Sequence, residues 1–282
     1  MASRIKLECQ GDEFYIPEIR EWTTKKYRLV ANYMDMFSKG MKNKWDKRVY
    51  IDLFAGAGKS RYKENKKIFK GSPFLALDVE YKFDKYIFCE ETDIRTEALR
   101  ERIHKYYPEV DIDIIHGDCN QKVDEIISKI PSGRKVLSLC LVDPNKLSSL
   151  KFQTLMSLSN GRRMDFMMLY PSNMEIRRWP KLYLEEDNKA IEAFLNIKEW
   201  RKEWYATQRS DSEFVKFIAE KFGQQMIKVG YLKKGLDEMV EIKMIGGKRS
   251  LYHIAFYSKN ELGYKFWKAA DTYRNVQINI NY

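Results

Sequence analysis

Histidine and cysteine are scarce in this chain. Three histidines and four cysteines occur in 282 residues, and Cys9, Cys89, Cys119 and Cys140 show no C-x-x-C spacing. No zinc framework can be drawn from such a set, and no metal site is expected. Cys89 and Cys140 sit inside apolar runs and read as small core residues in a reducing, cytoplasmic setting. Long hydrophobic runs are missing too. No stretch approaches the ~20 apolar residues that span a bilayer, and the opening MASRIKLECQ has no signal-peptide core. A membrane role is therefore not expected. Repeats, low-complexity tracts and a clear linker are also lacking.

What is present suits a large α/β domain. The hydrophobic share is 44%, the charged share 32% and the mean hydropathy −0.57. The formal charge is +11, which favours a polyanionic partner, here nucleic acid, although it can also serve solubility alone. Six Lys/Arg (Lys59, Arg61, Lys63, Lys66, Lys67, Lys70) face one acid, Glu64, between positions 59 and 70. A second basic region, 39–48, precedes the first apolar strand.

Periodicity predicts a helix over 25–36, with Tyr27, Leu29, Val30, Tyr33, Met34 and Phe37 at helical spacing. Residues 1–21 show no period and read as an irregular arm. Strands are predicted at 50–54, 85–90, 111–116, 136–142 and 165–170, alternating with helices at 72–80, 93–107, 121–130 and 152–158. Further strands are expected at 225–231, 240–245 and 251–257, after a helix at 213–222, and a closing helix at 261–274. Such alternation implies a mostly parallel sheet with helices on both faces. The expected layout is an arm and helix over 1–48, then one domain over 49–282 with a helical insertion at about 171–210.

The stretch VYIDLFAGAGKS, residues 49–60, organises the rest. A buried strand running into Gly56 and Gly58 allows a ligand to approach backbone where a Cβ would clash. A P-loop would need its first glycine at Leu53, and GxGxxG fails because its third glycine position holds Arg61. The remaining pattern, Asp-Leu-Phe-Ala-Gly-Ala-Gly, resembles the first motif of class I S-adenosylmethionine (SAM) methyltransferases, particularly those acting on nucleic acids. A plain glycine turn closing an α/β strand is the competing reading.

Polar residues recur at the ends of the predicted strands, where such sheets bind ligands. Glu90 closes the second strand and suits a pair of ribose hydroxyls, with Glu91 in reserve; alternatively Glu90 caps a helix. Asp118, with Cys119 beside it, follows the third strand and suits an adenine amino group, or caps the next helix. Asp52 could set a carboxylate near a sulfonium, and Phe54 could pack on the cofactor or in the core. Asp143-Pro144-Asn145 ends the fourth strand and is the candidate reaction centre. It matches the start of the Asp/Asn-Pro-Pro-aromatic motif of nucleic-acid amino-methyltransferases, but Asn145-Lys146 replaces Pro-aromatic. Cytosine carbon-5 methylation is disfavoured because no Pro-Cys occurs. Between 171 and 209, Trp179, Tyr183, Trp200, Trp204 and Tyr205 interleave with cations including Arg177 and Arg178. These could stack bases and contact phosphates, or pack on the sheet. With Lys59, Arg61, Lys63, Lys66 and Lys67, the two arginines form the candidate nucleic-acid contacts.

Taken together, WTTKKYRLVANYMDMF, YIDLFAGAGKSR, GSPFLALDVE, FCEETDIRTEALRERI, GDCNQKVDEII and LVDPNKL resemble the three-Cys-motif partner proteins. The resemblance runs from about Trp22 to Arg178 and fades beyond. It implies a Rossmann-like class I methyltransferase fold with a seven-stranded, mostly parallel sheet and SAM as cofactor. It also implies a radical-SAM companion carrying the three-cysteine motif as partner. Three functions stay open: a SAM-dependent methyltransferase of DNA or RNA, one whose protein or small-molecule substrate a partner delivers, and a non-catalytic partner module.

Overall fold

A computed structural model describes residues 5–19, 23–170, 176, 180–232, 239–243 and 250–274. Strands β1 (Glu8–Cys9) and β2 (Glu18–Ile19) precede helix α1 (Thr23–Met41) and strand β3 (Lys47–Asp52). A hairpin of β4 (Lys59–Tyr62) and β5 (Ile68–Lys70) leads into α2 (Ser72–Leu77). The alternation continues through β6 (Lys85–Glu90), α3 (Asp93–Tyr106), β7 (Ile112–His116), α4 (Val123–Lys129) and β8 (Val136–Val142). Next come α5 (Phe152–Ser159), β9 (Arg163–Tyr170), α6 (Pro180–Leu184), α7 (Ala190–Leu195), α8 (Trp200–Ala206) and α9 (Phe214–Lys228). The chain closes with β10 (Val240–Lys243), β11 (Ser250–Tyr257) and α10 (Glu261–Arg274).

Seven strands form the main sheet in the order β10-β11-β9-β8-β3-β6-β7. Strands β7, β6, β3, β8 and β9 run parallel, and β11 is antiparallel to both of its neighbours. This is the Rossmann-like methyltransferase fold that the sequence led us to expect. Side chains alternate across β3, so Val49 and Ile51 enter one core and Tyr50 the other. The first core lies under α4, α5 and α7–α9; the second lies under α1, α2 and α10. Cys89 and Cys140 are both buried in the first core. Helix α1 shares its core with the last helix: Tyr33 meets Phe256 and Trp267 at ring-centroid distances of 4.7 and 5.7 Å.

Two expectations need correction, and one left open is decided. Residues 5–19 are not an irregular arm, because β1 and β2 pair with β5 and β4 in a second, four-stranded sheet. The expected strand at 225–231 is mostly helix: α9 runs on to Lys228, since Phe222 and Met226 extend its buried face and nothing in 223–228 stops it. Within the insertion, Trp200, Trp204 and Tyr183 are core residues rather than stacking platforms. Trp204 packs on Phe214 and Phe217 at 4.9 and 5.2 Å between ring centroids. Tyr205 remains 62% exposed, while Trp179 and the candidates Arg177 and Arg178 lie outside the described residues.

Candidate active site

Strand order reverses about β3, whose neighbours are β6 and β8, so the carboxyl ends of these strands flank a crevice. The chain leaves β3 through Leu53 and Phe54 into a turn fixed by backbone donors. Leu53 N–H donates to Leu141 O (3.1 Å), and Ala55 N–H to Cys89 O (2.9 Å). Gly56 has φ of +67° and Gly58 of +79°, a region that glycine enters without Cβ strain. The two glycines differ in surroundings. A Cβ on Gly58 would stand 3.1 Å from Leu99 Cδ1 and 3.2 Å from Phe74 Cε1, whereas one on Gly56 would meet nothing within 4 Å. Gly58 serves packing. Gly56 faces open space.

That space is a cavity of about 530 Å³. Its walls include Phe54, Gly56, Gly58, Glu90, Glu91, Asp118, Cys119, Asp143, Pro144 and Asn145, so the structure brings the candidate cofactor and reaction-centre residues together with one exception. Asp52 is fully buried and does not line the cavity. Its Oδ1 accepts from Phe54 N–H (3.2 Å) and its Oδ2 from the Tyr50 hydroxyl (3.3 Å). Burial pushes its pKa up to about 7 against the Ser72 hydroxyl and Phe54 N–H that hold the charge. Asp52 therefore shapes the turn from behind, and its expected place beside a sulfonium is corrected.

Glu90 is buried at the end of β6. Its Oε2 accepts from Gly56 N–H (2.8 Å) and its Oε1 from Thr92 N–H (3.0 Å). One carboxylate thus joins the glycine turn to the start of α3, and each oxygen keeps a second lone pair. Asp118 Oδ1 accepts from Asn120 N–H (2.9 Å) and Asn120 Nδ2 (2.7 Å); its Oδ2 has no partner among the described residues. Asn120 in turn donates to Ser149 O and accepts from Lys151 N–H and the Thr154 hydroxyl. It ties the loop after β7 to the loop after β8. Cys119 is buried, and burial pushes its thiol well above the ordinary range, so it contributes wall rather than charge.

At the other end, Asp143 forms an ion pair with Lys26 of α1. Their side chains are only 16% and 13% exposed. Burial opposes the ammonium charge, but Asp143 and the oxygens of Tyr27 and Tyr252 outweigh it and raise Lys26 above its ordinary pKa. Tyr27 is hydrogen-bonded to Ser60, and Tyr252 completes this wall. Pro144 is buried and Asn145 exposed. Sequence reasoning missed Lys26, Tyr27, Ser60, Arg95 and Tyr252, and it missed Pro17–Ile19, which close the cavity from the arm.

The arm is fixed by a buried charge cluster. Asp12 pairs with Arg102 (2.6 Å) and Lys59 (2.9 Å), and the Arg102 and Asp12 side chains are 0% and 1% exposed. Arg102 also donates to Ala57 O in the glycine turn and to Phe14 O and Tyr15 O in the arm. Burial acts to raise the Asp12 pKa, but Arg102 and Lys59 prevail and hold it at about 2.

The basic segment differs from expectation for the same reason. It is a hairpin sewn to acids, not a free rim loop. Lys59 is buried against Asp12 and Gln10 O, so it is removed from the nucleic-acid contacts. Lys66 pairs with Glu18, Lys67 with Glu8 and Lys70 with Asp78. Arg61 is half-buried and Lys63 exposed.

Comparison with known proteins places the chain among very distant structural neighbours. No family model matches it, nor does any curated protein. It is similar to a Legionella pneumophila protein (11% identity, 88% of this chain and 92% of that one, TM-score 0.47). It is also similar to a putative O-methyltransferase from Klebsiella pneumoniae (10%, 85% and 88%, TM-score 0.42). A third is magnesium protoporphyrin IX methyltransferase from Synechocystis with bound SAM (9%, 85% and 79%, TM-score 0.40). Among the described residues, no group of His, Cys, Asp and Glu could hold a metal ion, and no helix is long and apolar enough to cross a membrane.

Proposed function

We propose that this chain binds SAM in the cavity and methylates an acceptor held at Asp143. The observation that carries this reading is the open space over Gly56, a cradle that a Cβ would fill, with Glu90 and Asp118 on the adjoining strand ends. Glu90 would take the ribose hydroxyls on its remaining lone pairs, and Asp118 Oδ2 the adenine amine. Bound there, SAM supplies an electrophilic methyl group on a sulfonium. The lining favours a cation, with Glu90, Glu91, Asp118 and Asp143 against Lys26, Arg95 and Lys151, and with Glu18 already paired to Lys66. Lys26 holds Asp143 Oδ2, and Asp143 Oδ1 is left to accept a hydrogen bond from the acceptor and fix its approach.

The finer reading is that the acceptor is a base amine of DNA or RNA; the net charge of +11 and the Asp143-Pro144 pair support it. A protein or small molecule delivered by a partner, such as a three-Cys-motif radical-SAM protein, is the second reading. The acids around the cavity and the paired hairpin lysines favour it. Titration calorimetry with S-adenosylhomocysteine tests the cofactor, and absence of binding at millimolar ligand overturns the proposal. Tritium transfer from labelled SAM onto cellular nucleic acid, compared with cellular protein, separates the acceptors. Binding without transfer to either leaves a non-catalytic module.

A further inference from the structure

Among the described residues, a cluster of cations without carboxylate partners lies at the opposite end of the sheet from the cavity, and it includes Lys44 and Lys47 of the second basic region. The loop before β3, the loop before β8 and the start of β9 meet at the amino ends of the parallel strands. Asp46 N–H and Lys47 N–H both donate to Lys135 O, at 3.0 and 3.2 Å. The Arg163 guanidinium donates through Nη1 to Arg134 O and lies 5.1 Å from the centroid of the Trp45 ring. Lys44, Lys47, Arg134, Lys135 and Arg163 are exposed and Arg162 is half-buried. Among the described residues none of these six cations has a carboxylate partner; Arg162 and Arg163 are hydrogen-bonded only through Nη1, to backbone carbonyls. Asp46 is the one acid in these segments. Nearby carboxylates are engaged elsewhere: Asp84 with Arg48, and Asp113 with Lys85 and Lys129. Arg134, Arg162 and Arg163 also line a cleft of about 540 Å³ with no acid in its walls.

We infer that this amino-end surface binds the phosphate backbone of single-stranded nucleic acid, independently of what the cavity methylates. Three arginine forks suit phosphate oxygens better than point charges do. Half-buried Trp45 sets an aromatic surface among the cations, the combination that single strands use for base stacking and backbone contact. The hairpin is the weaker candidate, because four of its six cations, Lys59, Lys66, Lys67 and Lys70, are paired with Asp12, Glu18, Glu8 and Asp78.

The test is fluorescence anisotropy of a labelled 20-nucleotide single-stranded RNA against the full chain, across a salt series. The triple variant Lys47→Glu, Arg134→Glu, Lys135→Glu should weaken binding ~10- to 100-fold and reduce the salt slope by about 2. Lys63→Glu, Lys66→Glu, Lys67→Glu should leave both nearly unchanged. Lys44→Glu with Lys135→Glu, two exposed side chains without ion-pair partners, provides a second variant should the triple one melt early. No RNA binding at 50 mM salt would overturn the inference. So would loss of binding in the hairpin variant alone, or equal competition by poly-glutamate, which would make the partner an acidic protein.

Discussion

Replacing Gly56 and Gly58 separately by alanine separates the ligand cradle from the packing that supports it. Both glycines have positive φ, so either alanine carries about 1–2 kcal/mol of left-handed strain. At Gly58 the new methyl also crowds Leu99 Cδ1 at 3.1 Å and Phe74 Cε1 at 3.2 Å. Overpacking adds about 1–3 kcal/mol, for a total of ~2–5 kcal/mol. At about 2–4 °C per kcal/mol for a domain of this size, Gly58→Ala should melt ~4–20 °C early. Gly56→Ala should lose only ~2–8 °C, because its methyl enters open space. That methyl should instead crowd a bound nucleoside, and the same ~1–3 kcal/mol of overpacking corresponds to about 5- to 150-fold weaker binding. Melting curves and S-adenosylhomocysteine calorimetry on both variants supply the measurements. Wild-type affinity in Gly56→Ala would remove the ligand from this turn, and an unchanged melting point in Gly58→Ala would refute the packing argument.

Other perturbations probe the remaining parts. Arg102→Leu strands a buried Asp12 and frees Ala57 O, so urea denaturation should show a loss of ~3–5 kcal/mol; a loss below ~1 kcal/mol would mean that Lys59 alone suffices. The Asp12 carboxyl titrates near 2 in the fold, below its unfolded value of about 3.9. Its contribution is present above pH 4 and disappears as pH falls toward 2, so Asp12→Asn should flatten the acid limb of a stability–pH curve. Asp165 behaves oppositely: burial raises its pKa to about 7 despite a Ser258 hydrogen bond. The folded chain holds a proton there that the unfolded chain releases, so stability should fall between about pH 4 and 7; Asp52 acts over the same window, so Asp165→Asn should reduce that fall and not abolish it. Lys26→Met should destabilise by up to ~3 kcal/mol by leaving Asp143 unpaired, and Lys26→Met with Asp143→Leu should recover most of it; no recovery would mean that the pair does not act as a unit.

How much was legible in the sequence depended on the range of the signal. The strands beginning near Val49, Lys85, Ile112, Val136 and Arg163 are mostly apolar runs, interrupted singly at Asp52, Asp113, Ser138 and Asp165, so their existence and the polar residues at their ends could be read locally. The second sheet could not. Its strands β1 and β2 are two residues long, too short for any period, and they exist only because Glu8 meets Phe69 and Glu18 meets Arg61 across the chain. The same long-range pairing converted an apparently free basic run into ion pairs. Lys26 does leave a local trace in the sequence. It stands three, four and seven residues before Leu29, Val30 and Tyr33, at the head of the apolar stripe of α1. A cation on a core-facing stripe needs a buried anion, and Asp143 is that anion.

Charge is segregated along the axis of the sheet, and this bears on what can reach Asp143. At the carboxyl ends, acids outnumber cations around the cavity; at the amino ends of β3, β8 and β9, six cations without carboxylate partners share their segments with one acid, Asp46. A polyanion approaching Asp143 would meet Glu91 and Asp118 of the cavity wall, which repel phosphates at contact range and are screened only beyond about 10 Å at 0.1 M salt. A nucleic-acid acceptor would therefore have to reach in with an unstacked base while its backbone stayed outside. A neutral or cationic acceptor meets no such barrier. Added salt should ease a nucleic-acid acceptor at the cavity yet weaken phosphate binding at the amino-end surface. Opposite salt dependences for transfer and binding would show two separate surfaces, whereas a shared dependence would require one surface to serve both.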